Sequence, residues 1–162
     1  MELRRNMTRR GHAALILPMV DSLLRAADLR LQDLDGIAFG RGPGSFTGLR
    51  IAAGVAQGLG LGAELPVVGI SSLAAVGEQV PAAIGEQILV CNDARMSEIY
   101  LGCYHRDAGG ALRSVADEVA VSPRDMPIGR EASHAAGNGL HAYPDLAGRL
   151  LSHSVQLHEG LF

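Results

Sequence analysis

The segment GRGPGSFTGLR, residues 40–50, and the run IAAGVAQGLGLG that follows it limit this chain more than any other stretch. Pro43 fixes a turn, and Gly42 and Gly44 supply backbone conformations that other residues resist. Ser45 is a good N-cap, so a helix is expected from about Phe46 to Gly62. Gly48, Ile51, Ala52, Val55, Leu59 and Gly62 share one face of that helix, with Gly54 and Gly58 beside it, four residues apart. Each interior glycine costs a helix about 0.5–1 kcal/mol against alanine. Glycines at 48, 54, 58, 60 and 62 therefore need an offsetting gain, and close approach of another backbone is the physical candidate.

The flanking segments set the fold class. HAALILPMVDSLLRAA (12–27) reads as a helix kinked near Pro18. Ile16, Val20, Leu23 and Ala27 centre its apolar arc, with Leu15 and Met19 on one side and Leu17 and Leu24 on the other. The arc spans roughly 200°, against the ~100° stripe that one core requires. Such a helix is sandwiched or meets a partner. GIAF is a short buried strand. LPVVGI (65–70) is a continuous apolar strand, expected to be central and covered on both faces. SSLAAVGEQV opens with serine caps and is a short helix. Helices and strands alternate, so the class is α/β with a partly parallel sheet. QILVCNDAR and SEIYLGCYHR then form a hairpin turning at Ala94–Ser97, and DEVAVS is a third strand. A Gly-Asn-Gly turn and a helix near Tyr143–Leu151 follow. The boundary is expected near Pro81–Glu86, giving subdomains 1–82 and 83–162.

Composition removes several functions. The 14 basic residues of the Lys/Arg class are all arginines, so a Schiff-base, P-loop or kinase-type lysine has no place here. A net charge of −3 gives no reason for strong nucleic-acid affinity by this chain alone. Hydrophobic residues make up 48% of the chain, enough for a real core, while aromatics are 4% and Trp is absent, so that core is aliphatic. Cys91 and Cys103 lack CxxC spacing and suit a reducing compartment. No apolar run is long enough to span a membrane, and no signal-peptide pattern follows the basic start. The expectation is a cytoplasmic protein without a membrane anchor.

Three kinds of site come into view. Gly42, Gly44 and Ser45, with Arg95 from the hairpin, form a candidate phosphate or nucleotide loop. The same residues also make a turn that only aims the second helix, and the missing P-loop lysine favours the turn. No catalytic set is assembled. GPGSF is not a nucleophile elbow, which needs a strand directly before it. The cysteines sit in apolar strands, and Asp93 and Glu98 read as solvated turn charges. The histidines at 105, 134, 141, 153 and 158 lack ligand spacing, so no metal site is expected. The third candidate is a partner interface over Leu15, Met19, Val20 and Leu23 of the first helix and Gly48, Ile51, Ala52, Val55, Gly54 and Gly58 of the second.

GRGPGSFTGLR, the Gly/Ala-rich helix and PVVGISSL together resemble the TsaB (YeaZ) family, which is required for threonylcarbamoyladenosine formation in tRNA. HAALILPMVDSLL is similar to the family's first helix. NDARMSEIY is similar to its Asp-Ala-Arg-x-x-Glu-x-Tyr segment, at Asp93, Ala94, Arg95, Glu98 and Tyr100. GNGLHAY is similar to its Gly-Asp-Gly-Ala turn, with Asn138 in place of Asp. The resemblance implies a two-subdomain actin/Hsp70/sugar-kinase-like (ASKHA) fold. It implies a non-catalytic partner of the paralogue TsaD, paired through the first two helices, with the ATPase TsaE joining the pair. It further implies a homodimer when alone, tRNA contact only within the complex, and no cofactor beyond a degenerate nucleotide site. TsaD itself needs an HxxxH pair on its first helix; here Thr8 and Ile16 flank His12, so the pair is broken. The alternative is an ATP-dependent transferase or kinase of the same fold. The family's opening strand and hairpin have no counterpart before Arg10, and its C-terminal segment would lie beyond Phe162, so the chain reads as a member lacking both.

Overall fold

The structure, a computed structural model, describes residues 12–129 and 131–161. It divides into two compact units, one ending at Ile70 and the other beginning at Ser71.

In the first unit, α1 (His12–Ala26) contains Pro18 within its length, and a 3-10 turn (Leu31–Asp33) leads to β1 (Ile37–Gly42). The second helix, α2 (Phe46–Ala63), begins one residue after the Ser45 cap, as the sequence predicts, and β2 (Val67–Ser71) follows. The strands β1 and β2 make a two-stranded sheet. This overturns the expectation for LPVVGI. Instead of a central strand covered on both faces, β2 has one strand neighbour among the described residues and leaves Val68 54% and Ile70 42% exposed. A sheet of two strands has too little surface to enclose its own apolar residues. Between 12 and 70 the buried residues are Gly42, Ala56 and Gly60. Every described large apolar side chain there keeps some exposure to solvent.

The second unit has a real core. The helix α3 (Ser72–Gly77) is capped by Ser71, whose hydroxyl accepts from the N–H groups of Leu73 and Ala74 and donates to Glu118. The strands β3 (Gln87–Arg95) and β4 (Glu98–Arg106) form the predicted hairpin, with β5 (Leu112–Ser114) and β6 (Val119–Val121) both antiparallel to β4. On the other side β7 (Ala132–Ala136) pairs parallel to β3, and β8 (Gln156–His158) parallel to β7. The helices α4 (Gly139–Ala142) and α5 (Pro144–Ser152) connect β7 to β8.

Burial alternates along β3. Ile88 and Val90 pack with Leu73, Val76 and Val80, while Leu89 and Cys91 pack with Leu140, Leu146 and Leu150. Helices therefore cover both faces of this sheet, which explains its unbroken apolar run. The two compact units meet between Ile70 and Ser71. The apolar face of α3 is buried against β3 and β4, so α3 belongs with the strands that follow it.

Candidate functional site

An open apolar groove of about 420 Å³ runs along α1 and α2. Leu15, Ile16, Met19, Val20 and Leu23 line it from α1, and Gly48, Ile51 and Ala52 from α2. The i, i+3, i+4 spacing of α1 puts its five residues on one face. On α2, Gly48 and Ala52 lie one turn apart and Ile51 stands between them. Among the described residues, no charged side chain lines the groove. Its chemistry is that of an unfinished helix–helix contact.

The sequence-derived interface set falls into two parts here. Leu15, Met19, Val20, Leu23, Gly48, Ile51 and Ala52 line the groove, joined by Ile16. Val55, Gly54 and Gly58 are not among its lining residues. A Cβ built on Gly54 or Gly58 meets no described atom within 4 Å, whereas one on Gly60 lies 2.3 Å from Val67 Cγ2. Only Gly60 is thus required by the contact between α2 and β2. Gly54→Ala and Gly58→Ala are each expected to stabilise the isolated chain by about 0.5–1 kcal/mol. Urea midpoints check this: a loss of stability would mean that something within the chain already approaches those Cα atoms.

The glycine loop is built as a turn. Gly42 is buried with φ 96°, and a Cβ there would sit 2.7 Å from Leu49 Cδ1. Ser45 Oγ accepts from the Gly48 N–H at 3.4 Å, so the hydroxyl is engaged as the N-cap of α2. Phe46 is 69% exposed, with the Arg50 guanidinium 3.3 Å above its ring centroid. Gly42, Gly44 and Ser45 are brought together in this turn. Arg95 belongs to the second unit, at the β3–β4 turn, where its Nη1 lies 3.2 Å from Asp93 Oδ2.

Asp93 works as a structural acceptor. Its Oδ1 accepts from the Arg95 N–H at 2.9 Å and lies 3.2 Å from the Tyr143 hydroxyl, which is also 3.2 Å from the Glu98 carbonyl. Burial, and then Asp93, push the Tyr143 phenol above its usual range. Asn138 joins the same knot, its Oδ1 accepting from the Asp93 N–H at 2.8 Å. The Gly-Asn-Gly turn thus fastens the end of β3 to the segment after β7. The cysteines are packing groups: burial pushes the Cys91 thiol up to about 12, and burial followed by Glu131 raises Cys103.

Sequence reasoning missed β7, α4 and β8, and with them the burial of His134. The segment ASHAA contains no β-branched or aromatic residue, so nothing in it announces a central strand. Among the described residues, no group of three or more His, Cys, Asp and Glu side chains is arranged to hold a metal ion. No helix among them is long and apolar enough to cross a membrane.

Residues 6–150 match the family described as "TsaD: tRNA N6-adenosine threonylcarbamoyltransferase". The chain is 39% identical, over 142 residues, to the tRNA threonylcarbamoyladenosine biosynthesis protein TsaB of Escherichia coli, covering 85% of this chain and 62% of that one. It is 37% identical to the Haemophilus influenzae protein of the same name, covering 91% and 67%. It therefore spans less than two thirds of the E. coli relative. YeaZ from Pseudomonas aeruginosa superposes with a TM-score of 0.77 at 35% identity, over 94% of this chain and 72% of that structure. The mixed α/β architecture is consistent with the ASKHA-like fold expected from the sequence.

Proposed function

The chain belongs to the TsaB (YeaZ) family, and from that membership we propose that it acts in threonylcarbamoyladenosine formation on tRNA as a non-catalytic partner subunit. Its partner in this reading is the catalytic paralogue TsaD, a second copy of the chain taking that place when TsaD is absent. A TsaE-type ATPase joins the pair, and tRNA is met only through the complex.

The apolar groove on α1 and α2 is the observation that carries this reading. Its lining residues are uncharged, and among the described residues it stands open. Elsewhere on the same two helices, Leu17 is 51% and Leu61 is 85% exposed. Apolar surface of this kind marks an interaction site on a folded protein. Two antiparallel helices from a related chain would close it as a four-helix arrangement, with interaxial distances of about 8–10 Å. The open Cα positions at Gly54 and Gly58 allow such a helix to come close.

The non-catalytic assignment rests on the first helix. Where TsaD needs a second histidine four residues after the first, this chain has Ile16, and Ile16 lines the groove. The position is given to contact in place of metal binding.

Co-expression with TsaD from the same organism, followed by chromatography with light scattering, tests the proposal. The expected result is a one-to-one complex that survives high salt, because apolar contact is not screened. A chain that remains monomeric beside folded TsaD overturns the reading.

A further inference from the structure

Three segments far apart in sequence meet at one buried imidazole. His134, on β7, is 6% exposed. Its Nε2 lies 2.8 Å from Glu86 Oε2, and its Nδ1 lies 3.0 Å from His158 Nε2. The two rings are 5.1 Å apart and tilted by 47°. Glu86 is itself fixed by the Ala83 N–H at 2.6 Å. His158 stands on β8, which pairs with β7 and packs against α5. The row Glu86–His134–His158 therefore ties β8 back through β7 to the turn before β3.

Proton counting decides what this row tolerates. A carboxylate only accepts, so His134 Nε2 carries hydrogen. With both rings otherwise neutral, His134 Nδ1 accepts from the His158 Nε2–H. If one proton is added to His158, each contact still has a donor and an acceptor; if it is added to His134, the same holds once His158 moves its hydrogen from Nε2 to Nδ1. If a second is added, an N–H faces an N–H across 3.0 Å and two cations sit side by side. The row holds one extra proton and excludes two.

We propose that Glu86, His134 and His158 form a proton-counting latch, which holds β8 on β7 at neutral pH and releases it when both imidazoles become charged. Other described charges nearby are occupied or turned to solvent. On α5, the Arg149 guanidinium donates to the carbonyls of Pro123, Arg124 and Met126, and Asp145 is exposed. His153, at the end of α5, has its Nδ1 2.8 Å from the Arg149 carbonyl. Beside β7, Glu131 accepts from Gln87 Nε2, and Glu159, after β8, is exposed. Burial first, and His134 second, hold His158 below its ordinary value of 6.5, while the His134 hydrogen bond holds Glu86 low. With His134 carrying the first proton, its charge adds to burial in lowering His158, so the open state binds the second proton more readily than the closed one. That contribution to closure is fully present above the ordinary imidazole value and is lost as pH falls and the second proton is taken up.

Hydrogen exchange on the full chain tests the latch, with rates corrected for intrinsic pH dependence. Between pH 7.5 and 5.0, protection of 156–158 is expected to fall severalfold relative to the amides of β3, because the open state takes up a proton that the closed one excludes. His158→Gln keeps a donor to His134 Nδ1 but takes no proton, so its β8 protection is expected to stay level over that range. Imidazole ¹⁵N shifts of the unaltered chain give a second reading that needs no variant. The first ring to titrate is expected to do so with β8 still protected, and the second together with its loss. β8 protection that follows β3 throughout overturns the proposal, as does an equal loss in His158→Gln.

Discussion

Met19→Glu is expected to weaken pairing through the α1–α2 groove by at least ~100-fold, about 3 kcal/mol, while leaving the chain folded. Met19 lies in the apolar lining, one turn below Leu23 and one above Leu15. A carboxylate closed into that lining by a partner helix finds no cation among the groove's own residues, and burying an unpaired charge is among the largest single penalties available. In the free chain the same residue is partly exposed, and glutamate is as good a helix former as methionine. Stability of the free chain should therefore change by no more than about 0.5 kcal/mol. Titration calorimetry with TsaD, alongside a thermal melt, separates the two effects. Unchanged affinity would place the interface elsewhere on the molecule.

Gly137→Ala is expected to act in the opposite way, leaving the groove intact and destabilising the second unit by about 3–5 kcal/mol. Gly137 has φ 109°, and a Cβ there would lie 2.3 Å from the Cys91 carbonyl oxygen. The obstacle is backbone of the central strand β3, which cannot turn aside as a side chain can. A loss of that size is a large fraction of the 5–15 kcal/mol typical of a whole domain. It should lower the melting midpoint by more than about 10 °C. Gly148→Ala is the control: its Cβ would meet no described atom within 4 Å, and α5 should gain slightly. A variant at 137 that melts with the parent would show that the loop after β7 can move away from β3.

Elements whose pattern is local were legible in the sequence. The α2 helix announces itself by Ser45 at one end and an unbroken helical run after it, and both survive in the structure. The β3–β4 hairpin is written in two apolar, β-branched runs around a short polar turn. The groove residues of α1 could be read from an arc too wide for one core. What escaped notice depends on distant neighbours. β7 is alanine-rich and becomes a strand because β3 and β8 flank it. The role of Asn138 needs Asp93, 45 residues earlier in the chain, and the role of His134 needs Glu86 and His158.

By itself, then, the sequence determined the α/β alternation, the cap and turn before α2, the apolar surplus of α1, the lack of lysine and the break in the HxxxH spacing around His12. Caps, turns and amphipathic faces are set within a few residues, where side chain and backbone decide together. Only the tertiary structure decided that β2 stays half exposed, that α3 belongs with the second unit, and that Gly60 is required by contact while Gly54 and Gly58 are not. Those outcomes depend on which surfaces meet. Burial is a property of neighbours brought together by the whole fold, and a residue's own identity states only what it can tolerate there.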